Sequence, residues 1–317
     1  MQLFTPVALP PAPFRLTPVS RVLTLGSCFA QHIGQHIAAA LPDGHALVNP
    51  FGPLYAPQVI AHHLRLLLDT APLPDATYFE GVEGMWHNRW FSTHVSSAEL
   101  ATCRRLTTDA LSAARDLLRR ADVLVLTLGT DRCYRLPDGR LVANCHKQPA
   151  ATFTEHAADV ETLTSDLRHA LDSLRALRPE LQVVWTVSPY RYAKYGLHAS
   201  QLAKARLLLA VDALCATDER SVYFPAYELL LDELRDYRYY ARDLLHPSDT
   251  AVELIGERFA DWCFAPALHT FARERARLLR AYQHRPLHPE SDAHRAFRAK
   301  LRHEAELFKA KWGISPF

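Results

Sequence analysis

Short apolar runs and helical periodicities alternate along this chain at least five times. Nearly unbroken apolar runs such as VLVLTL at 123–128 are typical of strands that are buried on both faces. The stretches between these runs carry apolar residues every three or four positions, which is the pattern of one helix face. The predicted strands begin at Val22 and cover 45–48, 122–128, 181–187 and 221–224. The predicted helices cover 31–41, 58–68, 107–120, 154–177, 199–216, a segment led by Pro225, and 248–264.

This alternation predicts an α/β fold in which a mainly parallel sheet is covered by helices on both faces. Ligands of such sheets collect at the carboxyl ends of the strands. Glycine or polar residues end four of the apolar runs, and we expect them to meet in one crevice. They are Gly26-Ser27, residues 49–52, Gly129-Thr130 and Ser188-Pro189.

Two segments depart from the alternation. Residues 70–105 mix prolines with aromatics, which predicts an irregular insertion with room for a short hairpin. Its Trp86, Trp90 and Phe91 offer an aromatic wall for a sugar ring, although aromatic residues in a loop more often pack the loop against the rest of the protein. The first 20 residues are rich in proline, and we expect them to lie extended across the surface.

Ser27 is the first candidate for chemistry. It follows the strand that stops at Gly26 and precedes a helical pattern that starts at Phe29, so it lies on a strand-to-helix turn. Such a turn exposes a small nucleophile at the sheet edge and aims the N–H groups of the helix start at negative charge. A loop with an N-cap serine has the same sequence pattern, and such turns are common.

Asp243 and His246 are the second candidate, a tight acid–base pair three residues apart in DLLHP. A serine hydroxyl needs a base to take its proton, and the base works best when a carboxylate holds its tautomer. A turn of this length places the carboxylate beside the imidazole, and Pro247 favours a prompt start of the next helix. The same spacing also occurs by chance, and a histidine before a helix is often merely exposed.

An acyl-transfer site also needs hydrogen-bond donors for an oxyanion. We expect donors among the backbone N–H groups of Ser27, Gly52 and Gly129, since no side chain blocks approach at a glycine. Asn49 and Asn144 offer side-chain amides. Each of these residues also has a simpler interpretation as a turn residue or a loop hydrogen bond.

Cys28 is an alternative nucleophile because a thiolate at a helix N-terminus has a lowered pKa. Adjacent side chains on such a turn point in different directions, so we expect only one of Ser27 and Cys28 to serve.

The six cysteines include no CxxC pair and no regular spacing, which argues against a zinc knuckle and against a disulfide framework. Cys145 and His146 with His87 or His94 come nearest to a metal site, but no pair has ligand spacing. We therefore expect no metal and no cofactor.

A chain of 317 residues with 49% hydrophobic residues can bury one large core, or a core plus an appendage. No apolar run approaches the roughly 20 residues that span a bilayer. Prolines interrupt the N-terminal segment where a signal peptide needs an unbroken apolar stretch. We therefore expect no membrane span and a cytoplasmic location.

Charge is distributed unevenly, since residues 265–317 carry eleven Lys/Arg against five Asp/Glu within a chain of net charge +2. We expect one domain over 1–264 and a basic helical C-terminal extension over 265–317. A basic tail can contact nucleic acid or anionic lipid, yet few aromatics interleave these arginines. A helix with a solvated arginine face is the simpler interpretation, and no nucleic-acid partner is expected.

Several motifs taken together resemble the GSCFA family, which is considered related to the SGNH/GDSL hydrolases. The motifs follow in matching order over roughly residues 20–262. They are GSCFA at 26–30, NPFGPLY at 49–55, TLGT at 127–130, ANCHKQP at 143–149, TVSPYR at 186–191, and the segment 223–248 that contains DLLHPS.

The resemblance implies an SGNH-hydrolase-like domain, a three-layer α/β/α sandwich. It assigns the nucleophile to Ser27 and the Asp-x-x-His pair to Asp243 and His246, and it matches Gly52 to an oxyanion glycine of the second block.

One departure from the related hydrolases concerns their third block, which usually reads Gly-x-Asn. This chain has Gly129-Thr130-Asp131 there, so the asparagine amide is missing. Either Thr130, Asn144 or His146 replaces it, or the reaction differs.

The function expected from residues and resemblance is a serine-dependent hydrolase of acyl esters. It would remove a small acyl group, such as acetyl, from a carbohydrate or another polar small molecule. One alternative is an acyl-CoA-dependent O-acyltransferase that uses the same three side chains on a glycan. The other is a non-catalytic binding or scaffold protein, in which the three side chains are a coincidence. The oligomeric state is left open.

Overall fold

A computed structural model describes residues 5–317 of the chain. Its strands are β1 (Val22–Gly26), β2 (Ala46–Val48), β3 (Tyr78–Glu80), β4 (Trp86–Asn88), β5 (Val123–Leu128), β6 (Arg132–Arg135), β7 (Leu141–Val142), β8 (Thr154–Ala157), β9 (Gln182–Val187) and β10 (Ser221–Tyr223). Its helices are α1 (Cys28–Ala40), α2 (Pro57–Leu68), α3 (Leu100–Leu118), α4 (Val160–Leu177), α5 (Leu197–Cys215), α6 (Ala226–Glu228), α7 (Asp249–Cys263), α8 (Pro266–Gln283) and α9 (Asp292–Trp312).

The central sheet has five strands in the order β10-β9-β5-β1-β2, and every neighbouring pair is parallel. The chain starts at β1, adds β2 on one side, and then crosses to β5 on the other side. The carboxyl ends of β1 and β5 therefore lie where the direction of winding reverses, which is where ligands of open α/β sheets bind. The predicted parallel sheet is confirmed.

Side chains of the central strands alternate between two apolar layers. Leu124 and Leu126 of β5 point into a core with α2, α3, α4 and α5, whereas Val123 and Val125 point into a core with α1, α7 and α8. Successive residues of a strand face opposite sides of its sheet, so an unbroken apolar run is required when helices cover both faces. The arrangement is the α/β/α sandwich that the resemblance implies.

The two largest differences from the predicted helix boundaries are at the starts of α4 and α3. Residues 154–157, predicted to begin a helix, form β8, which pairs antiparallel with β6. The helix begins at Val160 instead, because the Asp159 side chain accepts the N–H of Thr162 at 2.8 Å and caps it. Helix α3 begins at Leu100, seven residues earlier than predicted, within the segment expected to be irregular. The short hairpin allowed for 70–105 is present as β3–β4.

The C-terminal helices pack against the domain. Leu268 and Phe271 of α8 lie in the same apolar cluster as Ile37 of α1. The guanidinium of Arg275, which is 4% exposed, donates to the carbonyl oxygens of Leu41 at 3.0 Å and Pro316 at 3.1 Å. Residues before and after 264 therefore share one core, and the division of the chain at that point stays a prediction.

Within residues 5–317, no helix combines the length and the apolarity that crossing a membrane requires.

Candidate functional site

A cavity of about 390 Å³ opens at the carboxyl end of the central sheet. Ser27 after β1, Gly129 and Thr130 after β5, and Ser188 after β9 all line it. Three of the four sequence stretches expected to meet therefore do so. His246 also lines this cavity, although it is more than 200 residues from Ser27 in the sequence.

The turn that carries Ser27 is held by backbone contacts. Gly26 has a φ of 142°, and a Cβ at this position would lie 2.2 Å from the carbonyl oxygen of Thr127 on β5. Ser27 then caps α1, with its Oγ accepting the N–H of Phe29 at 3.2 Å. Only glycine allows β1 and β5 to pair this closely immediately before the serine.

Asn49 stabilises the same turn from behind. Its Nδ2 donates to the carbonyl oxygens of Gly26 at 3.3 Å and of Ser27 at 3.2 Å. The residue is 5% exposed and does not line the cavity. Asn49 therefore positions the serine turn and does not present its amide to a ligand.

Asp243 and His246 form the pair that their spacing predicts. Asp243 Oδ2 lies 2.5 Å from Nδ1 of His246, and Oδ1 accepts the backbone N–H groups of Leu245 at 2.9 Å and His246 at 3.0 Å. These hydrogen bonds, with the backbone N–H of His246 first, lower the pKa of Asp243 to about 2. The carboxylate therefore accepts the Nδ1 proton of a neutral imidazole and leaves Nε2 as a proton acceptor.

The loop of this pair is tied to the loop after β9. The N–H of Arg191 donates to the carbonyl oxygen of Leu245 at 3.0 Å, and Leu244 has a φ of 58°. The ring of Tyr190 lies against the imidazole of His246, with 4.2 Å between ring centroids. These contacts hold an imidazole whose side chain is still 49% exposed.

No hydrogen bond joins Ser27 to His246 among the described residues. Nucleophile–base contacts are often long in enzymes without substrate and tighten in the complex. Cys28 lines the same cavity, and its Sγ lies 2.9 Å from the hydroxyl of Tyr55. Both residues line the cavity, and the expectation that only one of them serves as the nucleophile stays a prediction.

The backbone N–H groups predicted as oxyanion donors already donate to carbonyl oxygens within the fold. The N–H of Ser27 donates to Thr127 at 3.0 Å, that of Gly129 to Tyr55 at 2.8 Å, and that of Gly52 to Asn49 at 2.8 Å. Gly52 also lies against the Ser92 side chain and is not a lining residue. Loop closure uses these N–H groups, so they are not free to bind an oxyanion.

Two donors at the cavity are not occupied in this way. The N–H of Cys28, the first residue of α1, has no acceptor among the described residues, since the Ser27 hydroxyl takes the next N–H. Asn144 lines the cavity, and its Oδ1 accepts the N–H of His146 at 2.8 Å. The Nδ2 of Asn144 has no partner within residues 5–317.

Thr130 and His146 occupy different surroundings. Thr130 lines the cavity, with its hydroxyl near Asp131 and the Arg132 N–H. His146 lies outside the cavity against His87, with 4.5 Å between ring centroids, and burial followed by the charge of His87 lowers its pKa to about 4. Within the described chain, no group of three or more His, Cys, Asp or Glu side chains is arranged to hold a metal ion.

Aromatic rings do line the cavity, but they are not those of the insertion. Phe91 is fully buried against Phe51, and Trp90 packs on His62. Trp86, Trp90 and Phe91 are absent from the lining residues of the described structure. The aromatic wall consists of four tyrosines, which are Tyr55, Tyr134, Tyr190 and Tyr192.

Lys204 supports the cavity floor and escaped the sequence analysis. Its Nζ, in a side chain 2% exposed, donates to the carbonyl oxygens of Gly129 and Ser188, each at 2.7 Å. Burial lowers its pKa to about 7. A lysine in register with the apolar face formed by Ala203, Leu207 and Val211 was the available signal.

The cationic part of the lining was also missed. Arg132 follows β5 closely, and Lys194 follows β9 in the tyrosine-rich run YRYAKY at 190–195. Both come after strands that end at the cavity. Their position after a strand end, together with the aromatic content of the run, was the signal that could have found them.

Sheet order, layers and the position of the cavity together define a doubly wound α/β/α sandwich protein with its candidate site at the switch point. A family model described as the GSCFA family matches residues 21–259, which is well over half of the chain. The chain therefore belongs to the GSCFA family, as the motifs indicate. A search of curated proteins found none that matches it.

Proposed function

We propose that the chain is a serine-dependent acyl-ester hydrolase related in mechanism to the SGNH/GDSL hydrolases. The observation that carries this proposal is that Ser27 and His246 line one cavity, with Asp243 bonded to Nδ1 of the imidazole. Ser27 is the nucleophile, His246 the general base, and Asp243 the residue that orients it.

The chemical steps follow from this arrangement. Nε2 of His246 takes the proton of Ser27 Oγ as the oxygen attacks the acyl carbonyl carbon, which forms a tetrahedral oxyanion. Collapse of this intermediate breaks the ester bond, and the imidazolium gives its proton to the departing alcohol oxygen. Water then attacks the acyl-serine with the same base, which releases the acid and restores the hydroxyl.

The oxyanion is stabilised by the N–H of Cys28 and the Nδ2 of Asn144. The N–H that follows a nucleophile on a strand-to-helix turn serves this purpose in α/β hydrolases. Asn144 supplies the side-chain amide that the Gly129-Thr130-Asp131 block lacks. Asp131 has no amide to supply, and its carboxylate is fully buried and paired with Arg206 at 2.6 Å.

The proposed substrate class and location are those expected from the sequence. Four tyrosines suit the apolar faces of a sugar ring, so a carbohydrate or similar polar ester is the proposed substrate. Cytoplasmic location stays a prediction.

Matched variants at the adjacent positions 27 and 28 distinguish a serine nucleophile from a cysteine nucleophile. Hydrolysis of p-nitrophenyl acetate by Ser27→Ala is expected to fall at least about 10³-fold in kcat/KM, whereas Cys28→Ala keeps most of the rate. A fluorophosphonate probe is expected to label the wild type at Ser27, as read by peptide mass spectrometry.

Other outcomes identify the alternatives. If Cys28→Ala abolishes turnover and Ser27→Ala does not, the thiol is the nucleophile. If coenzyme A binds saturably and the acyl group passes faster to an added glycan than to water, the chain is an acyltransferase. If the wild type shows neither turnover nor a probe adduct, the proposal fails in favour of a binding or scaffold protein.

A further inference from the structure

The charged side chains that line the cavity with Ser27 are positively charged. Arg132 and Lys194 line it, and among the described residues no aspartate or glutamate lines it with them. His246 is the remaining titratable base of the lining. The carboxylates nearest to the cavity, those of Glu155 and Asp243, lie behind these lining side chains.

Both cations share one carboxylate, which lies outside the lining. Glu155 of β8 accepts from Arg132 Nη1 at 2.8 Å and lies 3.3 Å from Lys194 Nζ. Burial raises the pKa of Glu155, but hydrogen bonds from Tyr195 and Arg132 outweigh it, and the net shift is downward. The carboxylate is therefore ionised at neutral pH, and one negative charge stands against two positive charges.

Asp131, which is adjacent to Arg132 in the sequence, does not cancel the surplus positive charge. Asp131 lies 3.9 Å from Nε of Arg132, beyond hydrogen-bond reach, and its own short contact at 2.6 Å is to Arg206. Among these five side chains, of which only Arg132 and Lys194 line the cavity, one positive charge is uncompensated, and the ionised Asp243 adds one negative charge beside His246.

Arg132 has donors to spare and a fixed position. Of its five N–H groups, the one bonded to Glu155 is committed among the described side chains. The guanidinium carbon lies 4.1 Å from the centroid of the Tyr195 ring, and the side chain is 27% exposed. A guanidinium held against an aromatic ring loses little freedom when it binds a planar anion in two-point contact.

Lys194 is held against the same ring. Its Nζ donates to the hydroxyl of Tyr134 at 2.6 Å, and it lies 4.8 Å from the centroid of the Tyr195 ring. Both cations therefore contact one tyrosine ring, that of Tyr195, in a geometry set by the β6–β8 sheet and the loop after β9.

We infer that Arg132 and Lys194 bind an anionic group of the substrate, a carboxylate or a phosphate, close to the ester that Ser27 attacks. The preferred substrate class is therefore an acidic acyl ester, with the tyrosine rings holding its uncharged part. This inference rests on the proposed function, and it adds a specificity site to it.

Two matched ester pairs test the inference and locate the anion. p-Nitrophenyl succinate against its methyl ester carries the charge on the acyl side. An acetylated methyl glucuronoside against its own methyl ester carries the charge on the alcohol side. In at least one pair the wild type is expected to prefer the acid by about tenfold in kcat/KM, the effect of one hydrogen bond to a charged group.

Variants assign the preference to these side chains. Arg132→Met and Lys194→Met are each expected to bring the acid-to-ester ratio close to one. Lys300→Met removes the same charge from an exposed position on α9, where the side chain is 77% exposed, and is expected to leave the ratio as in the wild type. Raising the salt concentration lowers the wild-type ratio, because ions screen the attraction.

Three outcomes decide the matter. A preference in either pair that depends on Arg132 and Lys194 supports the inference and shows which side carries the anion. Hydrolysis with equal rates within both pairs overturns it and leaves the proposed function standing. If the wild type hydrolyses none of the esters, calorimetry with monomethyl succinate decides, since saturable binding weakened by Lys194→Met supports the anion site and no binding overturns it.

Discussion

One carboxylate decides how the candidate base is presented. Asp243 accepts two backbone N–H groups with one oxygen and the imidazole Nδ1 with the other, so the loop conformation and the tautomer depend on the same side chain. Its pKa of about 2 means that it stays ionised throughout the range of ordinary assays. Protonation of Asp243 therefore does not account for an acid limb of the rate profile in that range.

Replacing Asp243 by asparagine is expected to lower kcat/KM for p-nitrophenyl acetate by about 10²-fold or more, because the amide favours the wrong tautomer of His246. Asp249→Asn, an exposed acid in the first turn of α7, is the control and should keep the wild-type rate. Equal rates for both variants would remove Asp243 from the mechanism.

The wild-type rate is expected to fall as acid protonates His246, since an imidazolium cannot accept the proton of Ser27. No second inflection from Asp243 is expected above about pH 3, given a pKa of about 2. A pH–rate profile with a non-ionising ester measures this, and a rate that stays flat through the acid range contradicts the role of His246.

The buried side chain of Lys204 joins the ends of two neighbouring strands. Its amine joins the carbonyl oxygens at the ends of β5 and β9, and a neutral amine still has two N–H groups for these two acceptors. Burial lowers its pKa from 10.5 to about 7, so the unfolded chain binds more protons between those two pH values. This group therefore adds stability as the pH rises through that window.

Lys204→Met is expected to lower the free energy of unfolding by about 2 kcal/mol or more, because two buried carbonyl groups lose their donor. Its deficit relative to the wild type should grow between pH 7 and pH 9, as urea unfolding at each pH measures. Lys300→Met should show neither effect. A deficit independent of pH would mean that Lys204 titrates normally.

At the scale of elements, the junction between β1 and α1 carries the site. The strand must pair with β5 up to Gly26 and then turn at once into a helix, which leaves no room for a side chain beside Thr127. The hydroxyl that follows is held at the sheet edge by this constraint. The strand-to-helix turn predicted from the sequence is thus a packing requirement of the sheet.

Gly26→Ala is expected to destabilise the fold by more than about 3 kcal/mol, since a positive φ and a contact with backbone atoms add together. Gly44→Ala is the matched control, because its φ of 76° is also positive but no atom lies within 4 Å of the added carbon. A cost of about 1 kcal/mol is expected there. Similar unfolding midpoints for the two variants would contradict the packing argument.

At the scale of the whole molecule, the C-terminal helices complete a core. Phe271 of α8 packs against Phe308 of α9, with 5.1 Å between ring centroids, and both belong to the cluster that covers one face of the sheet. Of the eleven Lys/Arg side chains of residues 265–317, nine are exposed, whereas Arg298 is half-buried and Arg275 is buried.

Phe271→Ala is expected to lower the free energy of unfolding by about 3–5 kcal/mol through the cavity that it leaves. Phe297→Ala, at a ring 37% exposed on α9, should change it by less than about 1 kcal/mol. If the two variants unfold alike, α8 is not part of the core.

How far the sequence alone predicts this protein depends on the range of the interactions concerned. Strands such as β5 and the Asp243–His246 pair were predictable, because apolar periodicity and a three-residue turn are local properties. Residues 154–157 were misassigned because pairing with β6 overrides their helical pattern. The N–H groups of Ser27 and Gly129 were misassigned as oxyanion donors because Thr127 and Tyr55 accept them across the fold.

By itself, the sequence determined the alternating strands and helices, the serine turn, the acid–base pair and the family. These follow from side-chain type and spacing, which are written along the chain. Only the tertiary structure decided that Ser27 and His246 share a cavity, that tyrosines and two cations line it, and that Lys204 supports its floor. Such contacts join residues far apart in sequence, and they exist only after the sheet has ordered its strands.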